Sequence, residues 1–405
     1  MTSTGYALNP AARHRRFACL LAVWFAVAPT VGAPAAKAQK DQAPAPAVSA
    51  EAMAEYRRAL AEYQAARAAY AAAADAYWSS ISQQRRSRNA KRAEQEPLSI
   101  DDYVLTQPPV YSGPPKPRDP SKPAEAAPPP PYVPVVSDFL ADAGQEFQFV
   151  PRAPQSESEF KRTYAKVALA AGLNAEQIVR IYGFEAGGNG EYDVQAGRER
   201  DKQARAITTA LGYNQLLATN SVEVVAESGD KFVRSLRARA ATLPDAERKA
   251  LHSKLMIVRQ MIDFARSVPD EWNQHQVLAN TPKGLGIHAL NLDVDVGPYL
   301  QTQKLVDSVN FARRKGFSGT LSAAELEMMN LTGDGNGFDM ITMPRAWRDQ
   351  VPTANFFQRS GYRDNPVAQR NNVVSRLIAA TDAKMDREIK LPGARDLAAD
   401  LATPQ

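Results

Sequence analysis

The chain has 405 residues, one cysteine and a formal net charge of +5. Residues 1–38 hold four of its cations and no acid, leaving +1 for the rest. That near-neutrality excludes the cationic footprint of a nucleic-acid-binding protein. Cys19 alone supplies neither a disulfide framework nor a thiolate metal site.

Residues 1–38 read as a secretory signal peptide. Arg13, Arg15 and Arg16 precede a twelve-residue apolar run from Phe17 to Ala28, and Ala36-Lys37-Ala38 offers a cleavage site. The run is shorter than the roughly 20 residues a bilayer span needs. Export to a periplasm is therefore predicted, with no membrane span once the signal is cut and no cysteine left. After a short Ala/Pro/Gln spacer, residues 49–95 predict one long Ala-rich helix. Met53, Tyr56, Leu60, Tyr63, Arg67, Tyr70, Ala74, Tyr77 and Ile81 recur three and four apart, a tyrosine-filled heptad seam. Such a seam pairs with another copy, packs on the main domain, or offers a face to a partner protein of the envelope. The cations Arg85, Arg86, Arg88, Lys91 and Arg92 at its end suit a solvated helix terminus facing the dipole. An anionic polymer is the alternative.

Residues 96–137 form a proline-rich linker, predicted to be extended polyproline that spaces the helix from the core. The remaining 138–390 read as one mainly helical domain, with 391–405 as a tail. Ser156-x-x-Glu159 opens a helix with Phe160, Tyr164, Val167, Ala168 and Ala171 on one face. Further helices are expected over 204–219, 221–240, 245–268, 302–314, 322–330 and 373–390.

Asn174 to Gln195 carries the main candidate. Asn174 and Gln177 make a capping-box start, and Gly187-Gly188 closes the helix. Ile178, Ile181 and Tyr182 share one face with Glu185. Apolar surroundings and the negative end of the helix dipole both raise a carboxyl pKa, as a general acid requires. Two other stretches invite chemistry and are read as bland. Leu290 to Val296 alternates like a half-buried strand with Asp293 and Asp295 on its solvated face. Leu331-Thr-Gly-Asp-Gly-Asn-Gly-Phe-Asp339 reads as stacked turns. Its spacing fails as a calcium loop, because Arg345 stands where a ligand Glu belongs. Neither a histidine metal site nor a phosphate-cradling glycine loop is present, so no metal or cofactor is expected.

Phe184-Glu185-Ala186-Gly187-Gly188-Asn189, followed by Ala210-Leu211-Gly212-Tyr213-Asn214-Gln215-Leu216-Leu217, resembles the lytic transglycosylase and lysozyme-like family over about residues 156–226. The resemblance implies a lysozyme-like helical domain cleaving peptidoglycan glycan strands, as a lytic transglycosylase or a glycoside hydrolase. Glu185 would be the catalytic acid and base. Gly212, Tyr213, Gln215 and Tyr192 would border the sugar, with Trp272 a further wall residue and Asp193 the base if water attacks. Two features depart from the pattern: Gly212 stands 27 positions after Glu185, and no Ala-Tyr-Asn segment follows. A glycan-binding or scaffolding envelope protein without catalysis is the alternative.

Overall fold

A computed structural model describes residues 48–122, 129–198 and 205–402. The expected signal peptide lies outside them. The fold is all-α: among the described residues there is no strand, only isolated bridges. No described helix is long and apolar enough to cross a membrane.

Ser49 caps α1, Ala50–Ala93, a single helix of 44 residues, about 66 Å long at 1.5 Å per residue. Its burial follows the heptad seam, but the partner is the chain's own linker. After a 3-10 turn at Ile100–Asp102 the linker runs back along α1. Tyr77 donates to the Thr106 carbonyl. The Tyr111 ring meets Tyr63 and Tyr70 edge-on, with the Arg67 guanidinium 4.8 Å above it. Around residues 106–111 the linker is therefore docked on α1 rather than a free spacer, with Tyr111 set against the seam.

Most of the cationic end of α1 is tied into the protein, with Arg86 alone among the five cations exposed. Arg88 is fully buried, its Nε donating to Asp339 at 2.9 Å and its Nη1 to the Asp102 carbonyl. Arg92 and the Tyr103 hydroxyl reach the same Asp339 carboxylate. Arg85 donates to the Phe357 and Asn355 carbonyls, and Lys91 pairs with Asp102. Long-range partners that sequence spacing cannot reveal override the solvated-end reading.

The domain has two cores. The first is built by α2 (Val136–Phe147) with helices that come later in the chain. The second begins with α3 (Glu157–Ala170) and α4 (Ala175–Ala186), both capped where the sequence predicts. Helices α5 (Ala218–Ala240), α6 (Asp245–Ala265), α7 (Trp272–Ala279) and α8 (Pro282–His288) return to the first core through Val222, Phe232, Met261 and Ile287. Next, α9 (Gly297–Arg314) joins the two, placing Leu300 in the first and Leu305 and Val306 in the second. The second core is completed by α10 (Ala323–Thr332), α11 (Asp334–Thr342), the short α12 (Arg345–Arg348), α13 (Arg359–Arg363) and α14 (Pro366–Arg370), then α15 (Val374–Glu388) and α16 (Pro392–Ala402). The segment read as a tail is thus α16, which packs on α3 and α4 through Ala394 and Leu397.

Three local expectations are corrected. Residues 205–217 hold no helix; they form the tight turn described below. Leu290–Val296 is not an extended segment: the 3-10 turn Ala289–Leu292 is followed by a turn that leads into α9. Its Asp293 and Asp295 are buried, because Lys254 reaches both (2.7 and 2.6 Å) and Arg152 and Arg239 reach Asp295. The Gly-rich stretch after Leu331 is helical, not stacked turns: Asp334 accepts from Ser308, and Gly337 lies so close to Met329 that an added Cβ would sit 2.3 Å from its Cα.

Candidate active site

The site is organised by the last turn of α4. The Asn174 side chain accepts from the Gln177 amide at 2.8 Å and the Gln177 side chain returns the bond at 3.0 Å. Ile178, Ile181 and Tyr182 are buried in the second core. Gly187 and Gly188, at φ of 70° and 63°, turn the chain away; a Cβ on Gly188 would lie 2.5 Å from the Glu388 carbonyl. Glu185 is thereby held at a helix C-terminus, facing α10.

There Glu185 meets Glu327, with which it shares a hydrogen bond, and Asn330, whose amide donates to Glu185 Oε1 at 3.1 Å. Glu327 is 1% exposed, and its Oε2 has no partner. Lys384 of α15 donates to the Phe184 carbonyl and stands 4.1 Å over the Phe184 ring, so its ammonium acts on the two carboxyls without bonding either. Burial pushes the Glu185 carboxyl above the usual carboxylate range, against the opposing pull of its hydrogen bonds and Lys384. Burial raises Glu327 further still, and the neighbouring Glu185 adds to it. Two carboxyls this close share a proton, because ionising both would leave adjacent buried charges.

Beyond Glu185 the chain opens into a groove of about 480 Å³, walled by Ala186 to Arg198 on one side and by Val136 and Ser137 on the other. Asp193 lines it; Glu185 does not. The predicted 210–217 segment stands behind the groove. Leu211 and Leu216 exchange backbone hydrogen bonds at 3.0 and 3.1 Å, and the Gly212 amide donates to the Val194 carbonyl. Gly212 has φ 82°, and a Cβ there would come within 2.5 Å of the Gln301 amide. Gln215, also left-handed at φ 44°, donates from Nε2 to the Val194 and Gly212 carbonyls. Gly212 and Gln215 therefore fix the wall without facing the cavity.

Tyr213, expected against the sugar, is fully buried. Its ring packs edge-on against Phe160, Tyr164 and Tyr182, 4.6–5.2 Å away, and its hydroxyl bonds Glu157. Tyr192 packs on Phe160 and donates its backbone amide to Glu157. Trp272, at the start of α7, is half-exposed and outside the groove. Glu157, absent from the sequence-based candidates, thus ties the two tyrosines together; burial raises its pKa above the usual range.

Ser221 Oγ lies 2.8 Å from His288 Nδ1, a geometry that suits a nucleophile, but both are fully buried. Burial lowers the His288 pKa to about 4, so the ring is neutral near pH 7. It bonds the Thr209 carbonyl, which makes it a support of the 210–217 turn. Among the described residues no three His, Asp or Glu side chains converge as metal ligands.

No family model, curated protein or solved structure matches the chain. Glu185, Glu327, Asn330 and the adjoining groove therefore carry the functional reading on their own geometry. Asn330 and Glu327 are invisible to motif matching, though Glu327 repeats the signal that singles out Glu185: a carboxylate inside an apolar run, here Leu326, Met328 and Met329.

Proposed function

We propose that this chain is an exported peptidoglycan-cleaving enzyme of the lytic transglycosylase type, acting in the periplasm with Glu185 as general acid and base. One observation carries the reading: a part-buried carboxyl, its pKa raised by burial, closes a helix beside a groove backed by the 210–217 turn. Such a group donates a proton to a glycosidic oxygen near neutral pH. It then accepts the proton of the muramoyl 6-hydroxyl as that oxygen closes onto C1, leaving an anhydro product. Where water attacks instead, Asp193 in the groove wall is placed to activate it. Glu327 shares the Glu185 proton, and Asn330 fixes the orientation of the pair.

Sacculi digested by the purified protein test this. Soluble anhydro-muropeptides from wild type, and none from Glu185→Gln, are the expected result; equal digestion by both overturns it.

A second reading is a glycan-binding envelope protein without catalysis. The orientation of Glu185 favours it, since the carboxyl bonds Asn330 rather than lining the groove. Sacculus binding with no soluble product from either form selects this reading.

A further inference from the structure

Of the cations that crowd the end of α1, Arg85, Arg88, Lys91 and Arg92 are spent on partners within the protein. Arg86 is not. It is exposed and makes no hydrogen bond or ion pair among the described residues. Helical spacing sets it in a row with Asp75, Ser79 and Ser82, at intervals of three and four along α1. That row and Trp78 line a notch of about 380 Å³, closed from the other side by Arg359 at the start of α13. The volume falls within the roughly 300–1,000 Å³ typical of small-ligand sites.

The two sides of the notch are held in register. Arg85 donates to the Phe357 carbonyl at 2.8 Å, and the Trp78 ring lies 5.8 Å from that of Tyr362 in α13. The lining is rich in donors and short of acceptors. Its one carboxylate, Asp75, is already paired with Arg359. The Ser82 hydroxyl donates to the Trp78 carbonyl at 2.9 Å, whereas the exposed Ser79 hydroxyl bonds nothing among the described residues. Two guanidiniums against one carboxylate leave one net positive charge.

We propose that this notch binds the phosphate monoester of a small ligand, its oxygens spanning the Arg86 and Arg359 guanidiniums and accepting from the Ser79 hydroxyl. A guanidinium is a rigid fork of donors that matches phosphate or carboxylate oxygens. Asp75 already gives Arg359 a carboxylate, so a second one, with a single charge and two oxygens, would serve Arg86 alone. A phosphate monoester carries a charge of about −1.5 to −2 near pH 7 and three acceptor oxygens, enough to meet both cations. The notch shares no residue with the groove beside α4, and the assignment is independent of the glycan reading.

Calorimetric titration of the full chain with glucose 6-phosphate, glucuronate and glucose tests the notch. Glucuronate keeps the sugar ring and puts a carboxylate in place of the phosphate; glucose has neither. A Kd of about 1 mM or below is expected for glucose 6-phosphate, with glucuronate weaker and glucose silent. Arg86 holds no other part of the fold. Arg86→Gln should therefore keep the melting temperature and weaken glucose 6-phosphate by about fivefold or more, while Glu185→Gln binds as wild type. A Kd above about 1 mM, a smaller loss in Arg86→Gln, or glucuronate binding as tightly each overturns the inference. Capture of the chain by vesicles containing phosphatidate, with no heat from glucose 6-phosphate, would overturn it in favour of a lipid headgroup.

Discussion

Asp293 and Asp295 lie buried against Lys254, with Arg152 and Arg239 closing on Asp295, whereas the part-buried Glu185 lies against the buried Glu327. Both pairs are taken out of water, so desolvation opposes ionisation in each. At Asp295 the cations win: hydrogen bonds from Arg152 and Lys254 hold it far below the usual carboxylate range. In the glutamates burial wins, because Lys384 gives its ammonium to a backbone carbonyl and the carboxyls meet each other and the neutral Asn330 amide. A neutralised pair fastens helices together. A pair left without a cation stores a proton, the state a catalyst uses and a scaffold has no need of.

The sharpest way to break the contrast is Glu185→Gln. Loss of the general acid should lower sacculus digestion by about 10²–10⁴-fold, measured as soluble muropeptide release, with the far-ultraviolet circular dichroism unchanged. Lys254→Met should do the opposite, sparing the chemistry and costing about 3 kcal/mol in urea unfolding, because it strands Asp293 inside the first core. The Asp295 contribution has a definite sign. Its folded pKa is depressed, so that stability is present above the unfolded pKa and is lost as pH falls through the folded value.

Glu327→Gln sharpens the comparison from the other side. The folded pKa values of the glutamates are raised, so their contribution is full below the unfolded value and is lost as pH rises through the folded one. The variant removes one of those acids and should melt higher than wild type at pH 8, with the gap closing toward pH 4. The smallest effect is expected at Glu227, raised to about 7 by burial first and by Glu223, Asp270 and Asp307 after it. Glu227→Gln should raise the melting temperature slightly above pH 7 and leave it unchanged near pH 4.5.

Local signals in this chain are honest and distant ones are silent. The caps at Ser156, Asn174 and Ser322 stand where the sequence puts them, because a cap is decided within four residues. Glu185 is legible for the same reason. The 210–217 turn was misread as helix because Leu211, Leu216 and Leu217 carry helical propensity, while the left-handed Gly212 and Gln215 are imposed by Gln301 and Val194. Alternating polarity at 290–296 suggested a strand since Lys254 and Arg152, which bury the aspartates, lie 39 and 141 positions from Asp293. Arg88 looked solvated because Asp339 is 251 positions away.

The tyrosine stripe of α1 is already met by Tyr111 at Tyr63 and Tyr70. A bare single helix tethered through a loose proline tract would be a rope, letting the groove wander around its point of attachment. Clasped by its own returning linker and bolted at Arg88, the same chain becomes a lever.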